Sequence, residues 1–167
     1  MRPKNISEQL SDEHLKAVGM ISAEWEHLSM SLRTLVGRLS GMGDPAQTIV
    51  LRKLTTIPLL ECAEALVQWH PKDLSSRFTQ EFQDKVTAIC KRFDAARTER
   101  NDYIHAVWML FGEERDQHYV HKVSKGKKFK AEIVPREVEP MKELAAKIAE
   151  LGRDVRELSM QLDQGLR

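Results

Sequence analysis

Cysteine is scarce in this chain, with Cys62 and Cys90 the two among 167 residues. Each falls on an apolar stripe at helical spacing, which reads as a small buried thiol in a reducing compartment rather than a disulfide framework. No stretch approaches the roughly 20 consecutive apolar residues that span a bilayer. Met1 to Asp12 is polar and lacks the apolar centre of a secretory signal. A cytoplasmic protein with no membrane partner is the expectation. Net charge is almost absent as well: 26 Lys and Arg against 25 Asp and Glu leave a formal +1. The molecule as a whole therefore does not attract nucleic acid, and any attraction must come from a local patch. Also missing are a phosphate-binding glycine loop, a paired-cysteine zinc pattern and a Gly-x-Ser-x-Gly elbow. Gly41-Met42-Gly43 reads as a helix stop, not a dinucleotide fingerprint. Nucleotide hydrolysis and acyl transfer thus have no support, and neither a cofactor nor a metal is expected.

What the chain does have is helical periodicity. With 41% hydrophobic and 31% charged residues it is balanced for one globular domain spanning residues 1–167. Ser11-Asp12-Glu13-His14 opens a helix, because Ser and Asp cap well and acids suit the first turn. Leu15, Val18, Ser22, Trp25, Leu28, Leu32, Leu35 and Leu39 then recur three and four residues apart. Asp44-Pro45 restarts the chain as a cap followed by proline at the first helical position. Ile49, Val50 and Leu54 continue that helix until Thr55-Thr56-Ile57-Pro58 breaks or kinks it. Leu59, Leu60, Ala63, Leu66 and Val67 form the next stripe, up to His70-Pro71. Ser75 or Ser76 then caps a helix whose apolar positions are Phe78, Phe82, Val86, Ile89, Cys90 and Phe93, and later Ile104, Val107 and Trp108.

Beyond Trp108 the pattern changes. Met109 to Phe111, Gln117 to Val123 and Lys128 to Val134 alternate or are β-branched, with turn signals at Gly112-Glu113-Glu114 and Ser124-Lys125-Gly126-Lys127. A small antiparallel hairpin or three-strand meander is expected within 109–136. Glu139-Pro140 begins a last helix, extending over 139–165, with Met141, Leu144, Ile148, Leu151, Val155, Leu158 and Leu162 on one side. The fold class is mainly α, a helical bundle with a β-hairpin before a long C-terminal helix. That helix either covers the bundle or pairs with its copy in a dimer.

One helix breaks its own pattern. At about 100° per residue from Arg100, Val86, Phe93 and Ile104 fall within about 40°, and Val107 lies about 20° to the other side. Cys90 and Trp108 lie roughly 80° away. Arg97 projects near about 60°, Asn101 near about 100° and His105 near about 140°. Two arginines inside an apolar stripe cost free energy unless carboxylates or a bound anion compensate them. Glu24, Glu26, Glu61 and Glu64 on preceding helices are candidates for structural ion pairs, and a bound phosphate is the alternative.

Arg100-Asn101-Asp102-Tyr103-Ile104-His105 resembles the signature of the HEPN superfamily: an arginine, a polar residue directly after it, and a histidine four to six residues beyond. The order of elements over roughly Ser11 to Trp108 is similar too. Many such sequences place a glycine after the histidine; here Ala106 stands there, while Trp108 matches a frequent tryptophan. The resemblance implies a HEPN-like helical bundle and metal-independent RNA cleavage by a homodimer. In it His105 would exchange the proton, Arg100 would clamp the phosphate and Asn101 would position the pair. A histidine is suited to acid–base work near neutrality, and a guanidinium forks onto phosphate oxygens. The resemblance also implies the setting of a toxin–antitoxin or phage-defence system, with a nucleotidyltransferase-like antitoxin as partner. Alternatives are a non-catalytic interaction and dimerisation module, or an RNA-binding protein, retaining the motif as a structural network. Asp102 and Tyr103 point elsewhere and receive no role.

Lys122, Lys125, Lys127, Lys128 and Lys130 crowd the expected hairpin turn. With Arg97 they are candidates for RNA-backbone contact; a solvated, aggregation-resistant tip is the alternative for the lysines. His118 and His121, three apart on a strand, would face opposite sides and share no metal. His14, His27 and His70 read as surface or capping residues, and Trp25 as core. Trp69 ends its helix as core or interface.

Overall fold

The computed structural model describes residues 10–69, 78–105, 108–110, 118–123, 131–135 and 137–164. Among them run helices α1 (Asp12–Ser40), α2 (Asp44–Leu51), α3 (Thr56–Trp69), α4 (Gln80–Ile104) and α5 (Val138–Gln164). Strands β1 (Trp108–Leu110), β2 (His118–Val123) and β3 (Ala131–Pro135) lie between α4 and α5. The chain is mainly α, and no helix among the described residues is long and apolar enough to cross a membrane.

Helices α1, α2 and α4 start where a side chain or carbonyl serves the orphan donors of the first turn. Ser11 Oγ accepts the His14 backbone N–H at 3.4 Å, and the Ser11 carbonyl accepts from Leu15. Thr79 plays the same part for α4, its Oγ1 accepting from Phe82 N at 3.2 Å. Phe78 and Phe82, both buried, stack across that start with ring centres 5.3 Å apart. Ser75 and Ser76, the expected caps, lie outside the described residues. Helix α2 is capped one residue earlier than the sequence suggested: Gly43, extended at φ −67° and ψ 154°, takes the cap position and Asp44-Pro45 fall in the first turn. The Gly43 carbonyl accepts from Gln47 N at 3.0 Å, which fixes that start. The expected break after Leu54 comes sooner, since α2 ends at Leu51. Pro58 then sits in the first turn of α3, where its missing N–H costs nothing. Gly41 closes α1 at φ 68°, a left-handed conformation in which glycine carries no steric penalty.

The described residues divide between two compact units. One comprises Met1–Ala23 with Ala96–Lys147, the other Glu24–Ala95 with Ile148–Arg167. The second unit is a helical bundle. Its core holds Leu28, Leu32, Leu35 and Val36 of α1, Leu59 and Val67 of α3, Phe93 of α4, and Ile148 and Val155 of α5. Trp25 meets Phe93 edge-to-face at 5.1 Å and 72°, a geometry favoured by the ring quadrupoles. Arg38 Nη1 ties α1 to α5 by donating to the Ser159 carbonyl at 2.8 Å and to Ser159 Oγ at 3.0 Å. Ile49 and Val50, expected within α2, are 68% and 48% exposed; Leu51 is the buried residue of that short helix.

The first unit carries the start of α1, the end of α4, the strands and the start of α5. The sheet order is β1-β2-β3, both pairs antiparallel. Trp108 pairs with Val120, and Val120 with Val134. Here the sequence misplaced the inward face of α1: His14, Ala17 and Ile21 are buried, whereas Leu15, Val18 and Ser22 are half-buried. His14 is no surface residue. Its Nδ1 lies 2.7 Å from Ser11 Oγ, and its ring meets Trp108 edge-on at 6.2 Å. The Ser11 hydroxyl and the indole thus supply a polar and an apolar partner to a ring 5% exposed.

Candidate active site

The motif lies at the end of α4 in the first unit. Expected to run on through Trp108, the helix stops at Ile104. His105 N donates to the Asn101 carbonyl at 3.1 Å, completing the last turn, and Trp108 already begins β1. Tyr103, 4% exposed, is the side chain this turn sends inward, while Ile104 is half-buried. Arg97, Arg100, Asn101 and Asp102 are half-buried and His105 is exposed.

Three of these side chains meet. Arg100 Nη1 donates to Asn101 Oδ1 at 3.1 Å and stands 3.4 Å from His105 Nε2. A guanidinium nitrogen has no lone pair, so it acts only as donor, and the contact with Nε2 requires an unprotonated ring nitrogen there. Arg100 Nε is buried while the Nη1 end reaches the exposed imidazole. The guanidinium is thus buried at its root and presented at its tip. On a continuous helix His105 would project about 140° from Arg100. The helix end and the length of the arginine bring them together instead.

This group can hold a phosphate and move a proton. A guanidinium beside an anion forms charge-assisted bonds without changing protonation state, and a neutral imidazole can accept a proton and return it. Asn101, bonded to the guanidinium, restricts its orientation.

Arg97 lies one turn before Arg100. Lys122 is on β2, paired in register with Glu132; Lys125, Lys127, Lys128 and Lys130 lie outside the described residues. His118 and His121 are both on β2. His27 is exposed and within 4.0 Å of Glu24, while His70 and the Trp69 side chain lie outside what is described. Among the described residues no group of three or more His, Cys, Asp or Glu is placed to hold a metal ion.

No protein-family model, curated protein or solved structure matches this chain.

Proposed function

We propose that this chain is a HEPN-type, metal-independent endoribonuclease acting as a homodimer in which the Arg100-Asn101-His105 groups of two copies face one substrate. The observation that carries this is the contact of Arg100 with both other motif side chains at the end of α4, with Asn101 at 3.1 Å and with His105 at 3.4 Å. His105 Nε2 accepts the proton of a ribose 2′-hydroxyl as that oxygen attacks the adjacent phosphorus. Arg100 leaves its imidazole contact to bind the phosphate oxygens as their charge grows. A protonated imidazole, from the same copy or its partner, then protonates the departing 5′-oxygen. The products are a 2′,3′-cyclic phosphate and a 5′-hydroxyl. A toxin or phage-defence effector restrained by a nucleotidyltransferase-like antitoxin is the biological setting that goes with this chemistry.

The test is incubation of total RNA with purified protein in excess EDTA. Fragments ending in cyclic phosphate, formed by wild type and absent with His105→Ala, support the proposal. Intact RNA from a folded, dimeric wild-type protein, with purified tRNAs also offered, refutes it. The half-burial of Arg100 favours a second reading, a helical interaction module in which the motif is structural. In that case Arg100→Ala lowers stability while RNA stays intact with either protein.

A further inference from the structure

Helix α4 stops at Ile104 although its sequence allows it to go on. Ile104, Val107 and Trp108 keep the helical spacing of the stripe before them, and no proline or glycine stands between Ile104 and Leu110. The stop matters for the motif. On a helix continued through Trp108, His105 would project about 140° from Arg100. With the helix ended, Arg100 Nη1 stands 3.4 Å from His105 Nε2.

A helix end does not hold itself, because the carbonyls of its last turn lack partners within the helix. The chain that follows has to be held, and the structure shows how. Trp108 opens β1 opposite Val120, and the His14 ring meets its indole edge-on at 6.2 Å and 71°. Edge-on ring contacts have a preferred geometry, so they direct an indole as well as bury it. His14 is itself fixed. It is 5% exposed in the first turn of α1, its Nδ1 lies 2.7 Å from Ser11 Oγ, and the same oxygen accepts from the His14 N–H at 3.4 Å. His105 is thereby tied on both sides. Its N–H reaches the Asn101 carbonyl at 3.1 Å, and three residues of chain, spanning at most about 11 Å, lead from it to Trp108. His14, Trp108 and the motif all belong to the first compact unit.

We infer that His14 is a positioning residue of the motif: by holding Trp108 in β1 it ends α4 at Ile104 and keeps His105 within reach of Arg100. Its meaning for catalysis rests on the reading of Arg100 and His105 as an RNA-cleaving pair; its hold on the place of His105 does not.

NMR of the full chain tests that hold without any cleavage. In wild type the Trp108 Cα shift is that of a strand, and Arg100→Lys moves the His105 ring resonances because the two side chains touch. In His14→Ala the Trp108 shift moves to the helical or random-coil value, and His105 no longer responds to Arg100→Lys. Phe93, midway along α4, keeps its helical shift, which marks the change as local. Trp108→Leu, which removes the other half of the contact from outside α1, abolishes the same response, and adding His14→Ala to it changes nothing more. That variant decides the matter if His14→Ala unfolds the chain. In RNA cleavage the loss in His14→Ala falls on kcat, about tenfold or more, as a misplaced reacting group entails. A strand-like Trp108 in His14→Ala, or a His105 that still answers to Arg100→Lys in either variant, overturns the positioning role whatever the RNA does. So does an unchanged kcat. Intact RNA from wild type beside the expected NMR result refutes the cleavage reading alone and upholds His14 as the residue that places His105.

Discussion

Gly37 sits buried in the last turns of α1, and an alanine there sets two effects of similar size against each other. Helix propensity alone favours Ala over Gly by about 1 kcal/mol in a helix interior. A Cβ at Gly37, however, would overlap Cγ, Cδ and Oε1 of Gln47, which lies across it from α2. Gln47 cannot stay. Its side chain must swing away, giving up the bond from Nε2 to the Arg33 carbonyl, which at 3.4 Å is long and worth at most about 1 kcal/mol. Overpacking of a close helix contact adds about 1–3 kcal/mol. Gly37→Ala therefore destabilises by about 1–2 kcal/mol. In a Gln47→Ala background the obstructing atoms are gone, and the same substitution stabilises by up to about 1 kcal/mol. The sign reverses, for a coupling of about 2 kcal/mol in a double-mutant cycle. Urea unfolding followed by circular dichroism measures it, with unchanged m-values marking a change in stability alone. Additive effects within about 0.5 kcal/mol would refute the reasoning.

Three further outcomes are expected. Burial, with Glu64 adding to it, pushes the Cys90 thiol up to about 12 from an ordinary value near 9. Folding thus favours the protonated thiol, a contribution fully present below pH 9 and lost as pH rises through about 12. Iodoacetamide at pH 8 should label half-buried Cys62 first and Cys90 only on unfolding, read by peptide mass spectrometry; equal rates would contradict the burial of Cys90. Phe93→Ala, which empties a fully buried site and removes the edge-to-face contact with Trp25, should cost about 3–5 kcal/mol in urea unfolding. The Arg92–Asp154 ion pair is short at 2.6 Å, but its side chains are 49% and 36% exposed. A double-mutant cycle should give less than about 1 kcal/mol and fade in 1 M salt.

How much of this was legible in the sequence varies from helix to helix. In α5 every expected inward residue, from Met141 to Leu162, is buried, because Leu, Ile and Val against charged neighbours leave one possible phase. The first half of α1 offers two phases one residue apart. Leu15 and Val18 outweigh His14 and Ala17 by hydrophobicity, yet His14 is buried through partners the periodicity does not contain: Ser11 close in sequence and Trp108 far from it. The end of α4 was hidden for a related reason. Ile104, Val107 and Trp108 keep helical spacing, but β-branched and aromatic residues suit a strand as well, and pairing of Trp108 with Val120 is a long-range event. Extended segments were expected at Met109 to Phe111, Gln117 to Val123 and Lys128 to Val134; β1, β2 and β3 occupy Trp108–Leu110, His118–Val123 and Ala131–Pro135. At the candidate site, residue order alone put Arg100 beside Asn101. The reach of Arg100 to His105 needed the helix to stop at Ile104.

The proposed chemistry rests on His105 as the group that moves the proton. The most direct measurement is the rate of RNA cleavage in excess EDTA by wild type, His105→Ala and Arg100→Lys, each confirmed folded and of the same oligomeric state. Wild type should release 2′,3′-cyclic phosphate ends, His105→Ala should lose at least about 100-fold of that rate, and Arg100→Lys, keeping the charge but not the fork, should lose part of it. Equal cleavage by wild type and His105→Ala, or cleavage abolished by EDTA, would contradict the proposal.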